Sequence, residues 1–208
     1  MGQDTKRTEL AVQDSARERI IAGARRNFFA LGFRGVTMDD LAHELGMSKK
    51  TLYAHFSSKH ALVLAVMLDK FHDIEQDLER ITSRFSPDVV GTSREVLACM
   101  QRHIEEIQPA FLRDIRRGNP ALFEMVVHRR QEMIQRYFGR LLREGRESGI
   151  IRNDVPLELV TELLIGAREV IMNPEKLAEL GLTPKMCFSG IITIILEGVI
   201  TDAGRAKL

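Results

Sequence analysis

Two cysteines in 208 residues, Cys99 and Cys187, make neither a disulfide framework nor a four-ligand zinc site. A reducing, intracellular compartment suits that scarcity. Long apolar runs are also missing. The longest, Ile191 to Ile200, is interrupted by Thr193, Glu197 and Gly198 and falls short of the ~18 apolar residues of a membrane span. The opening MGQDTKRTEL lacks the apolar stretch of a signal peptide. Lys6 stands where N-myristoylation after Gly2 wants Ser or Thr. The expectation is a cytoplasmic protein that contacts no membrane. No Gly-rich phosphate loop, GxSxG elbow or HExxH pair occurs, so no nucleophile–base constellation supports an enzyme, and no cofactor is expected.

The formal net charge is only +1, but it is unevenly distributed. Residues 1–60 hold ten basic groups against seven acidic ones, while the remainder is slightly acidic. A basic head on a neutral body points to a polyanion partner for the head alone. With 44% hydrophobic and 28% charged residues the chain has enough apolar content to fold along most of its length.

Apolar residues recur at threes and fours throughout and nothing alternates by twos for long, so the whole chain reads as α. Residues 1–14 read as a polar, flexible arm. A first helix spans Ser15 to Leu31, burying Ile20, Ile21, Ala24, Phe28 and Leu31, and Gly32 closes it. Thr37 opens a second helix, with Asp40 completing a capping box; this helix buries Leu41, Ala42 and Leu45 and stops at Gly46. Ser48 caps a two-turn third helix, Lys49 to His55. A long fourth helix runs from Ser58 to Phe85, with a packing seam at Phe71, Ile74, Leu78, Ile81 and Phe85. Further helices follow over 93–108, 111–117, 121–148, 156–171, 174–180 and 183–201.

The second and third helices, joined by Gly46-Met47-Ser48, form a helix-turn-helix pattern whose second helix would enter the DNA major groove. Leu52 and Phe56 fall together on the wheel and face the core. Lys50, Thr51 and Ala54 then face outward, flanked by Lys49, Tyr53 and His55. A short polar front suits base edges, and flanking donors suit phosphates. Packing against neighbours is the plainer reading of such a helix. Tyr53 can equally be a core aromatic, and His55 can simply cap carbonyls. Arg25, Arg26 and Arg34 read as solvated charge, with a phosphate contact left open for one of them.

The stretch FALGFRGVTMDDLAHELGMSKKTLYAHFSSKHAL, Phe29 to Leu62, closely resembles the DNA-binding domain of the TetR (AcrR-like) family of transcriptional regulators. The resemblance covers residues 15–65 by motif. It implies an all-α homodimer with an N-terminal three-helix DNA-binding domain (residues 15–60) and a C-terminal ligand-binding and dimerisation domain (61–208). It also implies a repressor released from a double-stranded operator by a small-molecule effector. Residue by residue, it gives Thr37 a phosphate contact and makes Lys50, Thr51 and Ala54 the base-facing front. Lys49, Tyr53 and His55 become backbone-contacting flanks, and Lys59 a phosphate contact at a helix start.

Met67, Phe71, Met100, His103, Ile107, Phe111, Met125 and His128 lie on helices expected to surround the family's cavity, joined by Met133; taken singly, each also reads as core. Cys99, His103 and Glu106 share one helical face. That spacing is competent for zinc, but no completing cluster is visible, so a polar pocket face is the stronger reading and no metal is expected. The last helix is apolar around most of its circumference. It is assigned to a dimer seam at Ile191, Ile195 and Val199 with Gly166 opposite, an intramolecular core being the alternative. A constitutive or corepressor-dependent DNA-binding protein without an inducer pocket is the rival function.

Overall fold

The computed structural model describes residues 2–83 and 89–206 and is built from helices, with one isolated antiparallel bridge between Ile151 and Ile200. The N-terminal group is α1 (Gly2–Leu31), α2 (Met38–Glu44), α3 (Lys49–His55) and α4 (Lys59–Thr82). The helices α5 (Val89–Glu105), α6 (Pro109–Gly118), α7 (Pro120–Met133) and α8 (Gly139–Glu147) follow. The chain closes with α9 (Leu157–Ile171), α10 (Pro174–Leu180), α11 (Pro184–Val199) and α12 (Asp202–Arg205).

The all-α expectation holds. The backbone of residues 2–14, expected as an arm, continues α1 without a break, since no proline or glycine beyond Gly2 interrupts it. Leu31, expected in the core, is 62% exposed; Phe28 and Phe29 take the core positions of that last turn. Phe85 lies outside the described residues. The single helix expected over 121–148 is divided by a π-turn, Ile134–Phe138, in which the Gly139 N–H reaches five residues back to the Ile134 carbonyl. Nothing in the 3.6-residue periodicity marks that extra residue.

Local chemistry accounts for the first three turns. Gly32 (φ +83°) and Gly46 (φ +64°) hold left-handed conformations that a side chain would strain. Thr37 accepts from the Asp40 amide at 3.1 Å while Asp40 accepts from the Thr37 amide at 3.0 Å. At Gly23 a Cβ would stand 2.7 Å from Leu45, so the absent side chain lets the end of α2 lie against α1. The Gly32 turn is also tied to α6, because Asp114 accepts from the Arg34 amide at 3.0 Å.

Two apolar clusters form the core: one from α1 to the start of α8, the other joining α8, α9, α10 and α11. Met100 packs against both. Beside it lies a polar network that ties the N-terminal helices to the body. Lys70 of α4 is only 1% exposed. Its ammonium pairs with Glu106, just past α5, and lies 2.8 Å from His103 Nδ1. Glu106 also accepts from Arg25 Nε of α1 at 2.7 Å, and Arg25 reaches Asp69 at 3.0 Å and Asp73. Arg25 is therefore a structural cation rather than solvated charge. Burial works against its charge, but the bonds from Glu106 and Asp73 outweigh that and raise its pKa.

An ammonium can only donate, so His103 Nδ1 accepts; Nε2 then carries the proton toward Asp77, 3.1 Å away. Burial, reinforced by the Lys70 charge, holds His103 neutral, with its pKa pushed down to about 4. Burial likewise lowers Lys70.

Because Glu106 serves two cations, the network answers unequally to substitution. Lys70→Met leaves Glu106 paired with Arg25 and should change stability by no more than about 1 kcal/mol. Glu106→Gln strands a buried ammonium and should cost about 2 kcal/mol, below the value for fully buried pairs because Glu106 is itself partly exposed. Urea midpoints of the two variants measure the difference. Equal losses would mean that Glu106 is not the shared partner.

Candidate functional site

Helix α3 presents two distinct faces. Leu52 (0% exposed) and Phe56 lock it onto the core, while Lys50, Thr51 and Ala54 are exposed on the opposite side. Tyr53 is 41% exposed, which removes the core reading for its ring. His55 is half-buried at the end of the helix. Ser48 caps α3 by accepting from the Thr51 amide at 3.0 Å, and its hydroxyl lies 2.8 Å from Thr51 Oγ1. Lys49 is exposed but bound to Asp39 at 2.8 Å, and that partner raises its pKa. The Thr37 hydroxyl donates to Asp40 at 2.6 Å. Lys59 starts α4 with its ammonium 4.2 Å from the centre of the Phe33 ring, half-buried, and burial lowers its pKa. The exposed donors around α3 thus stand on rigidly capped helix starts.

A second feature lies in the body. A cavity of about 120 Å³ opens between α4, α5, α7, the π-turn, α9 and α11. Met67, Phe71, Met100, His103 and Ile107 line it as expected, and so does Met133. Three of the expected residues do not. Phe111 is fully buried at the junction with α1, its ring edge-on to Phe29 at 5.0 Å. Met125 packs against the first core cluster instead. His128 points outward and pairs with Glu132 at 3.3 Å. The helix carrying Met125 and His128 presents a neighbouring face to the cavity, which a wheel drawn without its partners cannot select. Lys70, Arg130, Tyr137 and Arg168 also line the cavity and were not anticipated. A long basic side chain on an amphipathic helix carries no sequence mark of facing inward.

The face predicted from Cys99, His103 and Glu106 is rearranged. Glu106 turns to Lys70 and Arg25, and Asp77 takes its place, so that ligand atoms of Asp77, Cys99 and His103 lie within 4.8 Å of one another. Both nitrogens of His103 are committed to hydrogen bonds, and burial raises the Cys99 thiol. Of the three only His103 lines the cavity, with Asp77 hydrogen-bonded behind it.

The predicted dimer seam needs correction. Ile191 and Val199 are 8% and 6% exposed because they pack inside the subunit against the second core cluster. Ile195 is half-buried and Gly166 exposed. The open apolar face comprises Leu159, Leu163 and Val170 of α9 with Ile194 of α11, the last 74% exposed. The space over Gly166, Gly190 and Gly198 is clear. Among the described residues no single helix is long and apolar enough to cross a membrane.

Residues 20–66 match the family described as bacterial regulatory proteins, tetR family. The chain is 27% identical over 186 residues to YvaF, a helix-turn-helix-type transcriptional regulator of Bacillus subtilis, covering 89% of this chain and 96% of the relative. It is also 27% identical to the helix-turn-helix-type transcriptional repressor AcnR of Corynebacterium diphtheriae, covering 74% and 75% of the two chains. Its fold is similar to that of SmeT in a complex with triclosan, with a TM-score of 0.62 at 16% identity over 91% of this chain and 94% of the other. The capped α2–α3 pair, its exposed polar front and the match over residues 20–66 make one conclusion: this segment is a helix-turn-helix DNA-binding domain like that of the tetR family, in a chain similar along most of its length to helix-turn-helix transcriptional regulators.

Proposed function

We propose that the protein is a homodimeric repressor that leaves a pseudo-palindromic operator when a small, largely apolar effector enters the cavity. The observation that carries this reading is the shared carboxylate of Glu106: it holds Lys70, which lines the cavity, and Arg25, which belongs to the DNA-binding helices. The cavity is smaller than the ~300–1,000 Å³ of drug-sized sites, so an effector of that size must push α5 away from α4. Glu106 moves with α5, loosens Arg25 and lets α1 and the recognition helix pivot. A ligand acts only through unequal affinity for the two arrangements, and a coupling of about 1–3 kcal/mol is the usual scale. That AcnR is a repressor and SmeT is solved with triclosan supports the reading.

In this proposal residues 15–60 bind DNA and 61–208 bind effector and partner. Lys50, Thr51 and Ala54 face bases; Thr37, Lys49, Tyr53, His55 and Lys59 approach phosphates. Lys49 exchanges Asp39 for a phosphate on binding. The partner copy covers Leu159, Leu163, Gly166, Val170 and Ile194 in an isologous contact, and the two α3 helices then sit about 34 Å, or a multiple, apart.

Three outcomes follow from this assignment. Lys49→Ala should weaken binding to all sequences alike and flatten the log–log salt slope by about 0.9, whereas Thr51→Ala should alter the preferred base. Titrations at several salt concentrations and selection from random DNA separate the two effects. Ile194→Asp places a charge on a face already exposed in the subunit, so helix content should persist while sedimentation shows monomer and operator affinity collapses. A dimer that survives this change would put the interface elsewhere. Met100→Trp should fill the cavity, leave operator binding intact and abolish release by a wild-type inducer found by screening. Release at ordinary inducer concentrations in that variant would overturn the placement of the effector.

A further inference from the structure

The polar part of the cavity wall is cationic. Arg130 of α7 and Arg168 of α9 line it together with Lys70, His103 and the Tyr137 ring, and no carboxylate does. Lys70 has Glu106 as its partner. The two arginines have none: neither guanidinium makes a hydrogen bond or ion pair among the described residues. Glu169, whose charge acts on both, lies outside the cavity lining and accepts its hydrogen bond from Gln131 instead. Burial pushes Arg130 down to about 10, and burial together with the Arg130 charge lowers Arg168, the charge of Glu169 offsetting both only in part. Two unpaired cations side by side in an apolar wall cost desolvation and mutual repulsion. A planar guanidinium pairs best with an oxyanion of two parallel oxygens, which it meets through two hydrogen bonds.

We infer that the effector is an amphipathic carboxylate, its carboxylate held between Arg130 and Arg168 and its apolar body lying among Phe71, Met100, Leu164 and Phe188. This rests on the cavity being the effector site, and it narrows the effector from an apolar molecule to an apolar acid. The rest of the wall fits that division. The four body residues are apolar, and flexible Met100, which packs against both core clusters, adapts to the shape of a chain or ring. An uncharged apolar ligand would leave both guanidinium groups without partners in a site it had emptied of water.

The test uses two matched pairs of probes with the full-length protein: octanoate against 1-octanol, and 4-phenylbutyrate against 4-phenylbutan-1-ol, by calorimetric titration. At least one acid should bind tenfold or more tightly than its alcohol. Arg130→Gln combined with Arg168→Gln should erase that preference, bringing the acid to within about twofold of its alcohol. Without ligand, each single variant should melt at or above the wild-type temperature, because a repulsion has been removed; with the acid present it should melt below. Failure of both acids to bind, equal affinity within both pairs, or a preference that persists in the double variant would overturn the inference. Alcohols that bind and release DNA without any acid preference would overturn it while leaving the cavity as the effector site.

Discussion

An ammonium with 1% of its surface exposed, at Lys70, sets a condition that the surrounding helices satisfy. Unpaired it would be costly enough to open the fold or lose its proton, so a carboxylate must reach it. Glu106 does so from the turn after α5, which fixes the end of α5 against α4. The same carboxylate bonds Arg25, which fixes α1 against both. His103 completes the arrangement as a neutral ring handing a hydrogen bond from Lys70 on to Asp77. The cavity wall and the DNA-binding helices therefore share one carboxylate, which helps to keep them in register.

The helix-turn-helix was legible because its signals are local. A capping box at Thr37 and Asp40, a glycine at each required left-handed turn, and Leu52 with Phe56 on one face all act within a few residues. The exposure of Lys50, Thr51 and Ala54 follows from the same wheel. What stayed hidden depends on neighbours distant in the chain. Periodicity shows that α11 is apolar nearly all round, but not that Ile191 and Val199 turn inward while Ile194 turns out. Five of the eight predicted pocket residues line the cavity, all of them on α4, α5 or the turn after α5. The residues that give the cavity its charge, Arg130 and Arg168, look in sequence like any solvated arginine. The role of Glu106 was similarly obscured, since its partners come from α1 and α4.

Helices α9 and α11 carry opposite obligations on their two sides. Leu164 and Ile191 close the second core cluster, while Leu163 and Ile194, neighbours in sequence of inward-facing residues, stand in the open. The inner sides also line the cavity through Leu164, Arg168, Phe188 and Ile192. A displacement of the cavity wall is thus felt on the outer face of the same two helices. Any partner seated there shares in the response without touching the cavity.

The π-turn at Ile134–Phe138 decides which side chains α8 can bury. One residue turns an α-helix by about 100°, and the wider turn absorbs one residue more than the 3.6-residue period allows, so α8 keeps its direction while the sequence pattern slips by one position. Leu141 and Leu142 thereby reach the core, and Arg140 and Glu144 stay outside it as an ion pair. Tightening the turn to plain α-helix without removing a residue would swing α8 by about that angle and carry the charged pair toward the core. The buried Tyr137 and Phe138 within the turn hold it against that change.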